Sequence, residues 1–237
     1  MSKLQWILRA ALFPMVCVLA AGCDDGKIYP DEQEVSATGL SVTVKGELDG
    51  CSQYADSDYA IVVAAFKDDD EYAVISRPLA DGTDDIVLKN IDSSVATVEI
   101  CIISRLRERI FTIASMPVDA SAGPDFTFDV GSLNVAPFSV IDNNIFATSC
   151  VQCHGATGTS AASLNLTKGN AYKGLVNVAS TVLEGEKRVS PGDASASTLW
   201  QAVATDVSET WKFDHSNLLT TEKSGFIQEW INNGADD

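Results

Sequence analysis

The feature that most limits how this chain can fold is a change of rhythm near Pro137. Up to about Val135 the apolar residues alternate or run in short blocks, as strands do. Leu40, Val42 and Val44 alternate with polar neighbours. Tyr59–Phe66 is a continuous apolar run, and Tyr72–Ile75 and Ile86–Ile91 follow. Val98, Ile100 and Ile102 alternate again, before Ile110–Ser115 and then Phe126, Phe128 and Val130. Turn signals at Asp49-Gly50, Asp68-Asp69-Asp70, Asp81-Gly82 and Gly123-Pro124 separate these segments. Seven short strands with regular turns predict an antiparallel β-sandwich over residues 38–135. Beyond Pro137 the period is helical. Ser139 and Asp142 have the spacing of a capping box, and Ile141, Ile145 and Phe146 share a face. A short helical segment surrounds Leu199, Trp200 and Val203. Phe226, Ile227, Trp230 and Ile231 then make a closing stripe stopped by Gly234. The chain therefore reads as multidomain, with a second, mainly α domain over residues 138–237. Few residues there are reserved for a conventional core, so something else is expected to fill its centre.

The all-β half resembles immunoglobulin-like modules in architecture, although no single residue names such a family. It contains no acid–base pair or nucleophile constellation. The run Asp68-Asp69-Asp70-Glu71 lacks the glycine and bidentate-glutamate spacing of a calcium loop and reads as a solvated turn. The formal charge of −17 on 237 residues, without a basic stripe, excludes nucleic acid as a partner.

The first residues are expected to lie outside the fold. Lys3 and Arg9 precede an apolar run, Ala10–Ala21, that is too short to span a bilayer as a helix. It ends in Leu19-Ala20-Ala21-Gly22-Cys23, which resembles the lipobox of bacterial lipoproteins. That resemblance implies a signal peptide over residues 1–22, lipidation of Cys23, and attachment to a membrane of the bacterial cell envelope, facing the periplasm or the cell surface. Several acyl chains on one cysteine anchor firmly where a single chain does not. Residues 23–37 are acidic and aperiodic and read as a tether.

The six cysteines then sort themselves. Cys17 leaves with the leader and Cys23 carries lipid. Outside the cytoplasm thiols tend to be oxidised, so Cys51 and Cys101 are expected to pair. Such a bond would close a loop of about fifty residues, worth about 4 kcal/mol in the chain-entropy description. Two separate buried thiols are the alternative.

Cys150 and Cys153 belong to the stretch Ser149-Cys150-Val151-Gln152-Cys153-His154-Gly155. Three chemistries use such residues. A structural zinc site needs four ligands, which Cys150, Cys153, His154 and His215 could supply, but adjacent Cys153 and His154 are spaced poorly for it. A redox dithiol expects a βαβ setting, and no strand pattern precedes Cys150. C-x-x-C-H is the attachment signature of c-type haem: two thiols link to the vinyl groups and the neighbouring imidazole reaches the iron. The export signal favours this third reading, because that haem is attached outside the cytoplasm.

Three stretches, "IFATSCVQCHG", "KRVSPGDASASTLW" and "LLTTEKSGFIQEWINNGA", together resemble the class I-type monohaem c cytochrome domains of bacterial lipoproteins. The resemblance covers somewhat under half the chain, and the C-x-x-C-H element is its specific part. It implies one covalently bound haem c held by Cys150 and Cys153, with His154 as proximal ligand. The family's sixth ligand is usually a methionine before the last helix. Here the only methionines are Met1, Met15 and Met116, and His215 stands in that region instead. It is one of two histidines in the protein and lies 61 residues after the other. The alternative is a loop histidine beside an open or lysine-ligated iron. Arg188, close to the Pro191 turn, could pair with a haem propionate through its planar fork or simply be exposed.

These readings converge on an electron carrier, not an enzyme. It would be a lipid-anchored monohaem cytochrome that exchanges single electrons with redox partner proteins. The alternatives are a haem enzyme or gas sensor with an open iron site, and a surface protein whose sandwich binds a glycan or another protein.

Overall fold

A computed structural model describes residues 39–155, 161–211 and 213–237. The leader, Cys23 and the tether lie outside the described residues. Six of the seven strand-like segments lie on strands, and the third, Tyr72–Ile75, meets one only at Ile75: β1 (Leu40–Asp49), β2 (Tyr59–Lys67), β3 (Ile75–Pro78), β4 (Ile86–Ile91), β5 (Val95–Ser104), β6 (Arg109–Pro117) and β7 (Asp125–Asn134). They make a three-stranded sheet, ordered β4-β1-β7, and a four-stranded sheet, ordered β3-β2-β5-β6.

The sandwich is not wholly antiparallel. β1 and β7 run parallel, with Val42 opposite Phe126 and Val44 opposite Phe128. The register slips between Lys45 and Glu47, where Gly46 adopts a φ of 137°. A Cβ on Gly46 would stand 2.4 Å from the Gly131 carbonyl oxygen, so only glycine fits this bulge.

Alternation places Leu40, Val42, Val44 and Leu48 of β1 in the main core. β2 and β5 are buried nearly throughout because both faces of their sheet are covered. The inner face carries Ile61, Val63, Ile100 and Ile102. The outer face carries Val62, Ala64, Phe66, Cys101 and Ile103 in a second cluster with Ala73, and the guanidinium of Arg109 sits 4.6 Å over the Phe66 ring.

The rest of the chain is not the mainly α cytochrome domain that the sequence suggested. Among the described residues strand accounts for 34% and helix for 28%, and the helices are short. They are α1 (Pro137–Ile141), α2 (Ala171–Leu175), α3 (Thr198–Ala204), α4 (Ser208–Trp211) and α5 (Thr221–Asn232). α1 continues through a wide turn over Asp142–Phe146. Between α2 and α3 the backbone is irregular, joined by isolated bridges such as Val176 to Val189 and Ala179 to Lys187. These stretches are polar and lack a repeating apolar face, and a short helix without such a face to bury is marginal in water. The capping box also gives way: α1 starts at Pro137, a residue whose fixed φ suits the first helical position. Ser139 lies inside that helix, its hydroxyl donating to the Asn134 carbonyl at 3.2 Å.

The two halves share one core. Residues 38–237 form a single compact unit. Phe226 of α5 packs against Tyr54, Tyr59 and Phe111 of the sandwich at ring separations of 6.3, 5.1 and 5.4 Å. Phe138 of α1 packs against Phe146, Tyr172 and Trp230. Gly50 (φ 94°) lets the β1 turn approach Ala136, whose backbone nitrogen a Cβ would meet at 2.4 Å. Among the described residues, no helix is long and apolar enough to cross a membrane.

Candidate functional site

The Cys150–Gln152 segment is one 3-10 turn that follows the α1 helix and its wide turn. Ile145 and Phe146 are buried and anchor this lead-in, and a wide turn of this kind often marks a functional position. The backbone N–H groups of Cys153 and His154 both donate to the Cys150 carbonyl, at 3.2 and 2.9 Å. The motif is therefore closed into a single turn. Cys150 packs against the core, whereas Cys153 is exposed.

The segment Ala161–Leu166 wraps behind the motif. The Ala161 N–H donates to the Cys153 carbonyl at 3.1 Å, and the Leu166 N–H donates to the His154 carbonyl at 2.7 Å. The Ala161 carbonyl also lies 2.9 Å from Nδ1 of His154. A carbonyl oxygen only accepts, so Nδ1 carries the proton and Nε2 keeps its lone pair. Burial holds the His154 pKa below its ordinary value. The bond to Ala161 opposes that shift, while His215 and Arg188 add to it. A neutral imidazole with a hydrogen-bonded Nδ1–H is the form that binds metals.

The structure brings the protein's two histidines together. Their ring centroids are 6.3 Å apart and their planes are inclined by 28°. An imidazole centre stands about 3.1 Å from a metal on one of its nitrogens when that bond is about 2.0 Å. Two imidazoles bonded to one ion stand no more than about 6 Å apart, and the spacing found here lies at that limit. Nδ1 of His215 is buried and has no hydrogen-bond partner among the described residues. Phe213 flanks His215 in an edge-on arrangement at 4.8 Å and 72°. The residues thus fit a metal held by two imidazoles. No sequence signal marked Phe213, a half-exposed aromatic in a polar loop.

The other metal reading loses ground on geometry. Among the described residues no three His, Cys, Asp or Glu side chains converge as a metal-binding group, so Cys150, Cys153, His154 and His215 do not assemble a zinc tetrad. The dithiol reading also weakens. Burial, and secondarily the neighbouring Cys153, pushes the Cys150 thiol up to about 11, whereas redox dithiols depend on a readily formed thiolate.

Arg188 is half-buried beside the motif. Its guanidinium donates to backbone carbonyls, from Nη1 to Gly174 at 2.9 Å and from Nη2 to Ala162 at 2.9 Å and Ser163 at 3.4 Å. Ala162 and Ser163 have φ values of 53° and 51°. Left-handed backbone costs roughly 1–2 kcal/mol per residue outside glycine. Thr181 donates a further bond to the Ala162 carbonyl at 3.1 Å.

The expected Cys51–Cys101 disulfide is absent: both thiols are free and buried. Cys51 faces the main core, whereas Cys101 faces the outer cluster on the far side of the β2–β5 sheet. No protein-family model, curated protein or solved structure matches this chain.

Proposed function

We propose that this chain is a lipid-anchored, extracytoplasmic electron carrier of the bacterial cell envelope, with a single haem c as its redox group. Cys150 and Cys153 would hold the macrocycle through thioether links. His154 and His215 would hold the iron. A haem supplies reversible one-electron chemistry at its iron. The protein's own residues orient the imidazole that would hold it. The Ala161 carbonyl fixes the His154 tautomer. An iron held by two imidazoles would favour electron exchange with partner proteins over turnover of a substrate. Cys23 and the acidic segment 23–37 would tie the folded body to the membrane.

The single observation that carries this reading is the pairing of the only two histidines at 6.3 Å, one of them inside C-x-x-C-H. Covalent attachment is the property to measure. Protein purified from a host that exports and matures c-type haem should keep its colour through denaturation and acid–acetone extraction. Its mass should exceed that of the polypeptide by one haem. Changing both Cys150 and Cys153 to Ala should abolish both results. Colour that extracts freely, or stoichiometric zinc in place of iron, would end this reading.

A further inference from the structure

We infer that Arg188 is a positioning residue that sets the donor strength of His154 through the backbone, rather than a partner for a ligand carboxylate. The inference rests on the proposed axial role of His154. The chain of contacts is continuous. Arg188 donates to the carbonyls of Ala162 and Ser163, and Thr181 to that of Ala162. Those two residues hold left-handed backbone, which L side chains disfavour. The carbonyl of the preceding residue, Ala161, receives the Nδ1–H of His154. With the clamp released, the turn is free to relax toward ordinary backbone, carrying the Ala161 carbonyl away from the ring.

The fork is suited to this task. Nη1 ties the turn to Gly174 in α2, so the same side chain joins the strained turn to a packed helix. Lysine offers a point charge on a flexible stem and cannot span both acceptors in a fixed plane. A hydrogen bond to the far nitrogen of a ligating imidazole makes it a stronger donor, and such outer partners matter about 10–100-fold for metal affinity. A stronger donor favours the ferric state and lowers the potential.

The test compares Arg188→Ala, Arg188→Lys and Thr181→Val in the full chain by NMR and by redox titration. The protein has two histidines, so each imidazole signal is assigned directly with a His215→Ala reference. Exchange of the His154 Nδ1–H with solvent should accelerate by about tenfold or more in Arg188→Ala. It should accelerate less in Arg188→Lys and Thr181→Val. Signals of His215 should not change. The reduction potential should rise in the same order. Unchanged His154 exchange in Arg188→Ala and Thr181→Val overturns the inference even if the haem is covalent. Altered His154 exchange in protein that carries no covalent haem upholds the positioning role and rejects the electron-carrier reading. If Arg188→Ala does not fold, Thr181→Val decides alone.

Discussion

Asp142 lies at the wide turn that leads into the C-x-x-C-H motif. It is buried, and its Oδ1 has no hydrogen-bond partner among the described residues. Burial raises its pKa; the Gly169 N–H and Lys168 oppose the shift, and Asp237 adds to it. A carboxyl whose pKa is raised by folding stabilises the fold most below its ordinary value of 3.8 and loses that contribution as pH rises through the raised value. Asp142→Asn should therefore stabilise the protein at pH 7, by about 1 kcal/mol, and flatten the fall in stability above the ordinary carboxylate range. Thermal melts across pH check this, and a less stable Asn variant at pH 7 would show that the ionised carboxylate is well paired. At His215 the prediction concerns potential. Met ligation raises a haem potential, and axial ligands span about 0.8 V. If His215 holds a haem iron as proposed, His215→Met should raise it on the order of 0.1 V, as read by redox titration. No change would place His215 outside the iron's coordination. These residues differ in how visible they were. Two histidines in the whole chain pointed to each other by count alone. Cys101 was also decidable: Ile100 and Ile102 point inward, so parity sends Cys101 outward, away from Cys51. The Ala161–Ser163 turn carried no signal, because left-handed Ala and Ser look like any others.

Among the elements, α5 is the one that joins the halves. Its Phe226 fills the space between Tyr54, Tyr59 and Phe111. The Tyr59 hydroxyl donates to the Glu222 carbonyl at 3.0 Å, and Glu229 accepts from the Ser57 hydroxyl and the Asp58 N–H. Gly225 makes this approach possible, since a Cβ there would lie 2.8 Å from the Tyr59 hydroxyl. Phe226→Ala leaves a cavity ringed by aromatics that cannot collapse onto a rigid sheet. It should cost about 3–5 kcal/mol in chemical denaturation. A loss below 1 kcal/mol would mean that α5 contributes little to the shared core. The apolar stripe of α5 was legible from its period. Its target was not, because periodicity says which face is apolar and nothing about what covers it. The same limit explains β1 and β7: alternation marked both strands, but parallel pairing depends on where the chain returns, which alternation does not encode.

At the scale of the whole molecule, sequence rhythm divides the chain at Pro137, whereas packing does not. Phe138, Trp230 and Phe226 belong to the same apolar cluster as Val42, Ile61 and Ile100. Cutting between Val135 and Ala136 would expose Phe226 on one piece and Tyr54, Tyr59 and Phe111 on the other. It would also cost the bond from the Tyr54 hydroxyl to the Val135 carbonyl its fixed setting beside Ala136. The helices of the second piece are too short to hold together without that surface, since among the described residues none exceeds the 12 residues of α5. A fragment beginning at Ala136 should therefore lack a cooperative melt and fixed aromatic circular dichroism. The fragment 39–135 should keep β signal but melt well below the intact chain. Mixing the two should restore part of the lost transition, because the cluster can form again between chains. If the second fragment melts as cooperatively as the intact protein, the shared core is a contact between independent folds. The histidine site would then owe nothing to the sandwich, whose place in the protein would have to be sought in the partners it meets.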